Sequence, residues 1–122
     1  MFLKVSRSPL HGNGCFATRD VQSGDIVATG RLLIFTPDEM GHLFSTTLRN
    51  YLFYLRDGAT ADGPYYTALA MAPISFCNHS DNPNCDFRLD EDAAEITLVA
   101  RRPLRENEEI TIDYGDYAGE IV

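Results

Sequence analysis

No stretch of the 122-residue chain approaches the roughly 20 consecutive apolar residues of a helical membrane span, which excludes a transmembrane helix. The amino terminus, Met1 to Leu10, carries Lys4 and Arg7 but no long apolar core, so it reads as lacking a secretory signal. Cysteine is scarce and odd in number. Cys15, Cys77 and Cys85 cannot all pair within one chain, which favours free thiols and a reducing, cytoplasmic setting. There is no internal repeat, low-complexity tract or Gly/Pro-rich linker, and the length suits one domain over residues 1–122. Basic residues are in deficit too, with 10 Lys+Arg against 18 Asp+Glu, a formal net charge of −8.

What is present is globular in character. Hydrophobic residues make up 44% and charged residues 23%, values that exclude a disordered tail or a collagen-like repeat. The charge is uneven. Residues 1–80 hold six basic and six acidic side chains, whereas residues 81–122 hold four basic and twelve acidic, so the whole excess lies in the last third. Such a surface repels a nucleic-acid backbone and attracts lysine-rich partners, although from charge alone a solvated surface that keeps the protein soluble is the better reading.

Turn signals come early, at His11-Gly12-Asn13-Gly14 and Ser23-Gly24-Asp25, and short apolar runs between and after them predict strands near 15–17, 26–28 and 32–35. Thr36-Pro37-Asp38-Glu39 predicts a helix start, with Thr36 as N-cap, Pro37 at the first helical position and Glu39 closing a capping box. Leu48, Tyr51, Leu52 and Leu55 follow i, i+3, i+4, i+7 spacing and predict an amphipathic helix over 46–56, ended by Asp57-Gly58. Strands are expected again over 65–71, 95–100 and 109–114. The expected fold is therefore mainly β with a helical insert at about 36–64. A doubly wound parallel sheet is disfavoured, because crossover helices are missing.

Three clusters carry chemistry. Gly12-Asn13-Gly14 permits close backbone approach to a ligand, although taken alone an ordinary hairpin turn is the better reading. The run Ser75-Phe76-Cys77-Asn78-His79-Ser80-Asp81-Asn82-Pro83-Asn84-Cys85 breaks the apolar pattern. Cys77, His79 and Cys85, with Cys15, offer zinc-type ligands at the wrong spacing, so no metal is expected; a turn fixed by Asx hydrogen bonds is the plainer reading. Glu108-Glu109-Ile110-Thr111-Ile112-Asp113-Tyr114-Gly115 reads by itself as an edge strand with half-buried tyrosines, Ile110, Ile112 and Tyr114 sharing one face.

Taken in order, these clusters resemble the SET-domain lysine methyltransferases. The matching pieces are His11 to Ala17, Phe76 to Asn84 and Glu108 to Gly115, and the lead-in Ser8-Pro9-Leu10 with Tyr51-Leu52-Phe53 is similar to the short stand-alone members of viruses and bacteria. The resemblance implies a β-clip of several small sheets with a C-terminal pseudoknot. It implies S-adenosyl-L-methionine as cofactor, held by His11, Gly12, Asn13, Gly14, Asn78, His79 and Tyr114. His79 would act chiefly through its backbone, with its imidazole packed structurally. It also implies catalysis by Tyr114, whose hydroxyl would orient the target amine, and a substrate channel that includes Tyr51, Ile112 and Tyr117.

The partner implied is a lysine-rich protein or peptide, with no direct nucleic acid and no membrane, and a homodimer could complete the channel wall. The location would be cytoplasmic, or a host nucleus for a viral or exported microbial protein. Nothing in the sequence resembles the zinc modules that flank larger members before (pre-SET) or after (post-SET) this domain. Asp81 stands where many members have cysteine, Asn107 where glycine is usual before the Glu pair, and Ile112 where Phe or Tyr often limits methyl count. The alternative reading is a SET-like protein-binding module with weak catalysis.

Overall fold

The computed structural model describes residues 1–55, 66–71 and 73–113. Nine strands are formed among them: β1 (Leu3–Arg7), β2 (Asn13–Ala17), β3 (Ile26–Phe35), β4 (Leu52–Leu55), β5 (Tyr66–Ala70), β6 (Asn78–His79), β7 (Cys85–Asp90), β8 (Glu95–Ala100) and β9 (Glu109–Ile112). One sheet has the order β1-β2-β9-β6 and the other β4-β5-β3-β8-β7. Every pairing is antiparallel except β6 with β9, as the missing crossover helices require.

The ten residues of β3 serve two neighbours. Its first part pairs with β8, and Leu32–Phe35 pairs with Thr67–Ala70 of β5. Gly30 lies near the changeover, where a Cβ would stand 3.1 Å from Ile74 Cδ1. Alternation along β8 sends Ile96 and Leu98 inward, and they join Val27, Ala28, Ile74, Leu104, Ile110 and Ile112 in one core.

The helical insert is shorter than its sequence suggests. The Thr36–Glu39 capping box forms, but it opens a 3-10 turn over Pro37–Glu39 followed by one short helix, α1 (Met40–Phe44). The helix expected over 46–56 is replaced by a 3-10 turn over Thr47–Tyr51, with the Thr46 hydroxyl accepting from Leu48 N at 3.2 Å, and then by β4. The reason is tertiary pairing. Phe53 faces Ala68 and Leu55 faces Tyr66 across β5, and the period-2 alternation buries Phe53 and Leu55. Phe53 also packs against Phe87, with ring centroids 5.0 Å apart.

Nor is β9 an edge strand. It lies between β2 and β6, and Ile110, Thr111 and Ile112 are all buried, so both of its faces are covered. Asp113 ends the described chain, and the path expected to form a pseudoknot lies outside the described residues. Among the described residues no helix is long and apolar enough to cross a membrane.

Candidate active site

Strand β9 brings the first cluster to the second. Cys15 of β2 pairs with Ile110 on one side, and Asn78 of β6 pairs with Thr111 on the other. The β1–β2 turn is thereby set beside the Asn78-His79 pair, although 65 residues separate Asn13 from Asn78.

The turn itself is closed by Ser8 N donating to Gly12 O at 2.8 Å and by the Ser8 hydroxyl accepting from Leu10 N at 2.9 Å. Gly12 adopts φ +48, a conformation that favours glycine. Gly14 is glycine for a different reason. A Cβ there would overlap Glu109 Oε2 and stand 3.0 Å from both Asn78 Nδ2 and Ser8 Cβ.

Between the turn and β6 lies a cavity of about 800 Å³, lined by Leu10, His11, Gly12, Asn13, Asn50, Tyr51, Phe76, Asn78 and His79. A smaller apolar cleft of about 380 Å³ is lined by Leu48, Tyr51, Leu69, Ala70, Met71, Ser75 and Phe76. Tyr51 and Phe76 line both, and their rings meet edge to face at 6.0 Å and 70°.

The polar side of the larger cavity is built on Asn78. Its Nδ2 donates to His11 O at 3.0 Å, Asn13 O at 3.2 Å and Glu109 Oε2 at 2.9 Å. Three surrounding acceptors require the amide nitrogen at that position, which fixes the orientation of the group. His79 behaves differently from the packed imidazole expected. Its side chain is 40% exposed, with Nε2 2.8 Å from Asp81 Oδ1 and Nδ1 3.6 Å from Asp113 Oδ1.

His11, Gly12, Asn13, Tyr51, Asn78 and His79 thus converge on one cavity. Gly14 and Ile112 do not line it; Gly14 is buried under the turn, and Ile112 is wholly inside the core. Tyr114 and Tyr117 lie outside the described residues. Sequence reasoning missed Leu10, Asn50 and Phe76 on the wall and Ser8 and Glu109 behind it. Glu109 belongs to the Glu108 to Gly115 family match, but nothing in the sequence says that its carboxylate lies beneath a glycine 95 positions earlier.

The zinc-type ligands are not assembled either. Cys77 and Cys85 are buried while His79 is exposed, and no described His, Cys, Asp or Glu cluster of three or more is arranged to hold a metal ion. The Cys77 thiol is held well above its ordinary range by a hydrogen bond with Cys15 and by burial. Burial, with Asp86 nearby, pushes Cys85 up to about 12.

The sequence pattern of the SET domain matches residues 12–115, a span that takes in Gly12 to Gly14, β6 and β9 together. The chain belongs to the SET domain family. It is 28% identical over 125 residues to the H3 lysine-37 specific histone-lysine N-methyltransferase of Schizosaccharomyces pombe, covering 96% of this chain and 80% of that protein. Identity is 29% over 119 residues to the histone-lysine N-methyltransferase trithorax of Drosophila virilis, but that match covers 93% of this chain and only 3% of trithorax. The chain therefore spans a small fraction of that relative's length, and the same holds for human histone-lysine N-methyltransferase 2B, of which it covers 4%.

Solved structures share the SET fold. The Neurospora histone lysine methyltransferase DIM-5 aligns with a TM-score of 0.69 at 24% identity, over 92% of this chain and 51% of that one. A Plasmodium falciparum protein assigned as a histone methyltransferase aligns with a TM-score of 0.74 at 19% identity, over 93% of both chains.

Proposed function

We propose that this SET domain is a protein-lysine N-methyltransferase that transfers a methyl group from S-adenosyl-L-methionine to lysine side chains of a basic, histone-like protein. The observation that carries the reading is the pair of cavities sharing the Tyr51–Phe76 wall: one large and polar-sided, the other smaller and apolar. A two-substrate transfer needs two such compartments that meet.

The larger cavity fits this cofactor. Its volume suits a ligand of that size, and Tyr51 and Phe76 offer aromatic surface. No Lys or Arg is among its described lining residues. His11, Gly12, Asn13, Asn78 and His79 would hold the cofactor. When bound, it supplies a methyl group activated on a sulfonium cation.

The chain's own task is to present an uncharged amine. Lysine begins near pKa ~10.4, and only the neutral form has a lone pair free to attack. Leu48, Leu69, Ala70 and Met71 make the smaller cleft apolar, and desolvation there favours the neutral amine. By the family pattern the Tyr114 hydroxyl would accept from an amine N–H, leaving the lone pair free and turned toward the methyl group, so alignment would supply much of the acceleration. The acidic last third favours basic substrates at encounter, an effect confined to roughly 8 Å at physiological salt. The free, buried thiols accord with a cytoplasmic protein.

The test is methyl transfer from radiolabelled S-adenosylmethionine to histone and non-histone lysine-rich proteins, with mass spectrometry of the product. Labelled lysine with the wild type, and loss of label with Tyr114→Phe at unchanged cofactor affinity, is the expected result. Cofactor binding without turnover on any lysine-rich protein would leave a binding module in place of an enzyme.

A further inference from the structure

Glu109 lines neither cavity, yet it reaches the polar wall of the larger one through Ser8 and Asn78. Its Oε1 and Oε2 lie 2.8 and 2.7 Å from the Ser8 hydroxyl, and Oε2 accepts from Asn78 Nδ2 at 2.9 Å. Ser8 in turn accepts from the N–H groups of Leu10 and His11, at 2.9 and 3.4 Å. Asn78 reaches the carbonyl groups of His11 and Asn13. One carboxylate therefore terminates two hydrogen-bond chains that grip the same turn from opposite sides, one through its N–H groups and one through its C=O groups.

The sequence has been shaped to seat that carboxylate. Gly14 leaves the space that any Cβ would take from it. Position 109 is the first residue of β9, the strand on which both β2 and β6 pair, so the carboxylate projects from the element that fixes the distance between turn and β6.

Resting on the reading of the larger cavity as the cofactor pocket, we infer that Glu109 is a positioning residue for cofactor binding: its carboxylate, seated beneath Gly14, holds the 8–14 turn and the Asn78 amide in their binding arrangement. A carboxylate only accepts, and both of its partners here are donors. Removing it leaves the Ser8 hydroxyl without this acceptor and takes away the only one of the three Asn78 Nδ2 acceptors that lies outside the turn, and with them the restraint that ties the turn and the amide to β9. A glutamine whose Oε1 occupies the Oε2 position keeps the Asn78 bond and one Ser8 bond, so the isostere should preserve the arrangement.

The experiment compares wild type with Glu109→Ala, Glu109→Gln and Ser8→Ala, and with Leu98→Val, a core change in the other sheet, as a stability reference. Calorimetry gives the S-adenosylmethionine Kd, thermal unfolding without ligand gives Tm, and ¹⁵N–¹H spectra follow the Asn78 side-chain amide. Glu109→Ala is expected to raise Kd at least tenfold, Glu109→Gln less than threefold, and Ser8→Ala by an intermediate factor. The Leu98→Val reference should lower Tm without moving Kd. In the wild type the Asn78 NH₂ protons should exchange slowly, and in Glu109→Ala they should shift and exchange fast.

Wild-type affinity in Glu109→Ala, or an equal loss of affinity in Leu98→Val at a matched fall in Tm, overturns the inference. Should the wild type itself bind no S-adenosylmethionine, the cofactor reading fails; an Asn78 amide signal unchanged by Glu109→Ala then overturns the clamp independently, and a lost one upholds it.

Discussion

Asn84 and Thr111 are joined twice. Asn84 N donates to Thr111 Oγ1 at 3.2 Å, and Thr111 N donates to Asn84 Oδ1 at 2.9 Å. Asn84 Nδ2 also donates to Glu109 O at 2.7 Å, so one side chain serves an N–H and a C=O of β9 as a neighbouring strand would. Asn84 is only 3% exposed, which leaves little room for water to take over. Asn84→Ala should therefore cost about 2–4 kcal/mol, the range for stranding buried backbone groups. The urea midpoint would fall at an unchanged m-value. A loss below about 0.5 kcal/mol would show that the ladder on β9 is satisfied without it.

A second prediction concerns acid. Burial alone would raise the Glu108 carboxyl, but Arg105 N at 3.0 Å, Arg102 Nη2 at 2.8 Å and Asn84 Nδ2 at 3.5 Å outweigh it and hold the group below its usual range. A carboxyl lowered by folding stabilises the native state above its unfolded value, near 4.5, and that contribution is lost as pH falls through the lower folded value. Glu108→Gln should therefore weaken the protein slightly at pH 7, and the gap should close by pH 2–3. An equal gap at both pH values, measured by urea midpoints, would locate the effect in shape and not in charge.

The two turns, the capping box and most strands were legible because local chemistry dictates them. Gly12 must reach φ +48, and Thr36 and Glu39 find each other across three residues. The helix expected over 46–56 was not, because Leu52 and Leu55 fit a helical face as readily as a strand, and only pairing with the distant β5 decides between them. The site divides in the same way. Asn78, His79, the turn residues, Ser8 and Glu109 all fall in stretches that carry the family pattern, but the Ser8–Glu109 contact across 101 residues is one that no spacing rule encodes.

The cysteines should be chemically silent in the native state. Cys15, Cys77 and Cys85 are at most 1% exposed, and the Cys77 and Cys85 thiols are shifted away from the reactive thiolate. At pH 8 Ellman's reagent should label none within minutes and all three after unfolding in guanidinium. Rapid modification of one thiol in the folded protein would reveal local opening of β2, β7 or the segment before β6.

The shared wall makes the most specific kinetic prediction. Asn50 lines only the larger cavity and Leu48 only the smaller, whereas Phe76 lines both and holds Tyr51 edge to face. If the larger cavity holds cofactor and the smaller admits the lysine side chain, three truncations should separate. Asn50→Ala should raise the cofactor Kd and leave the peptide KM nearly unchanged; Leu48→Ala should do the reverse. Phe76→Ala removes a ring from both compartments and an edge-to-face contact worth about 0.5–1.5 kcal/mol beyond its burial. It should therefore raise both constants, each by roughly tenfold, which corresponds to about 1.4 kcal/mol. Calorimetry for the cofactor and initial rates across peptide concentration measure the two independently. Were Phe76→Ala to move only one constant, the compartments would not meet at this wall, and the lysine would have to enter by another route.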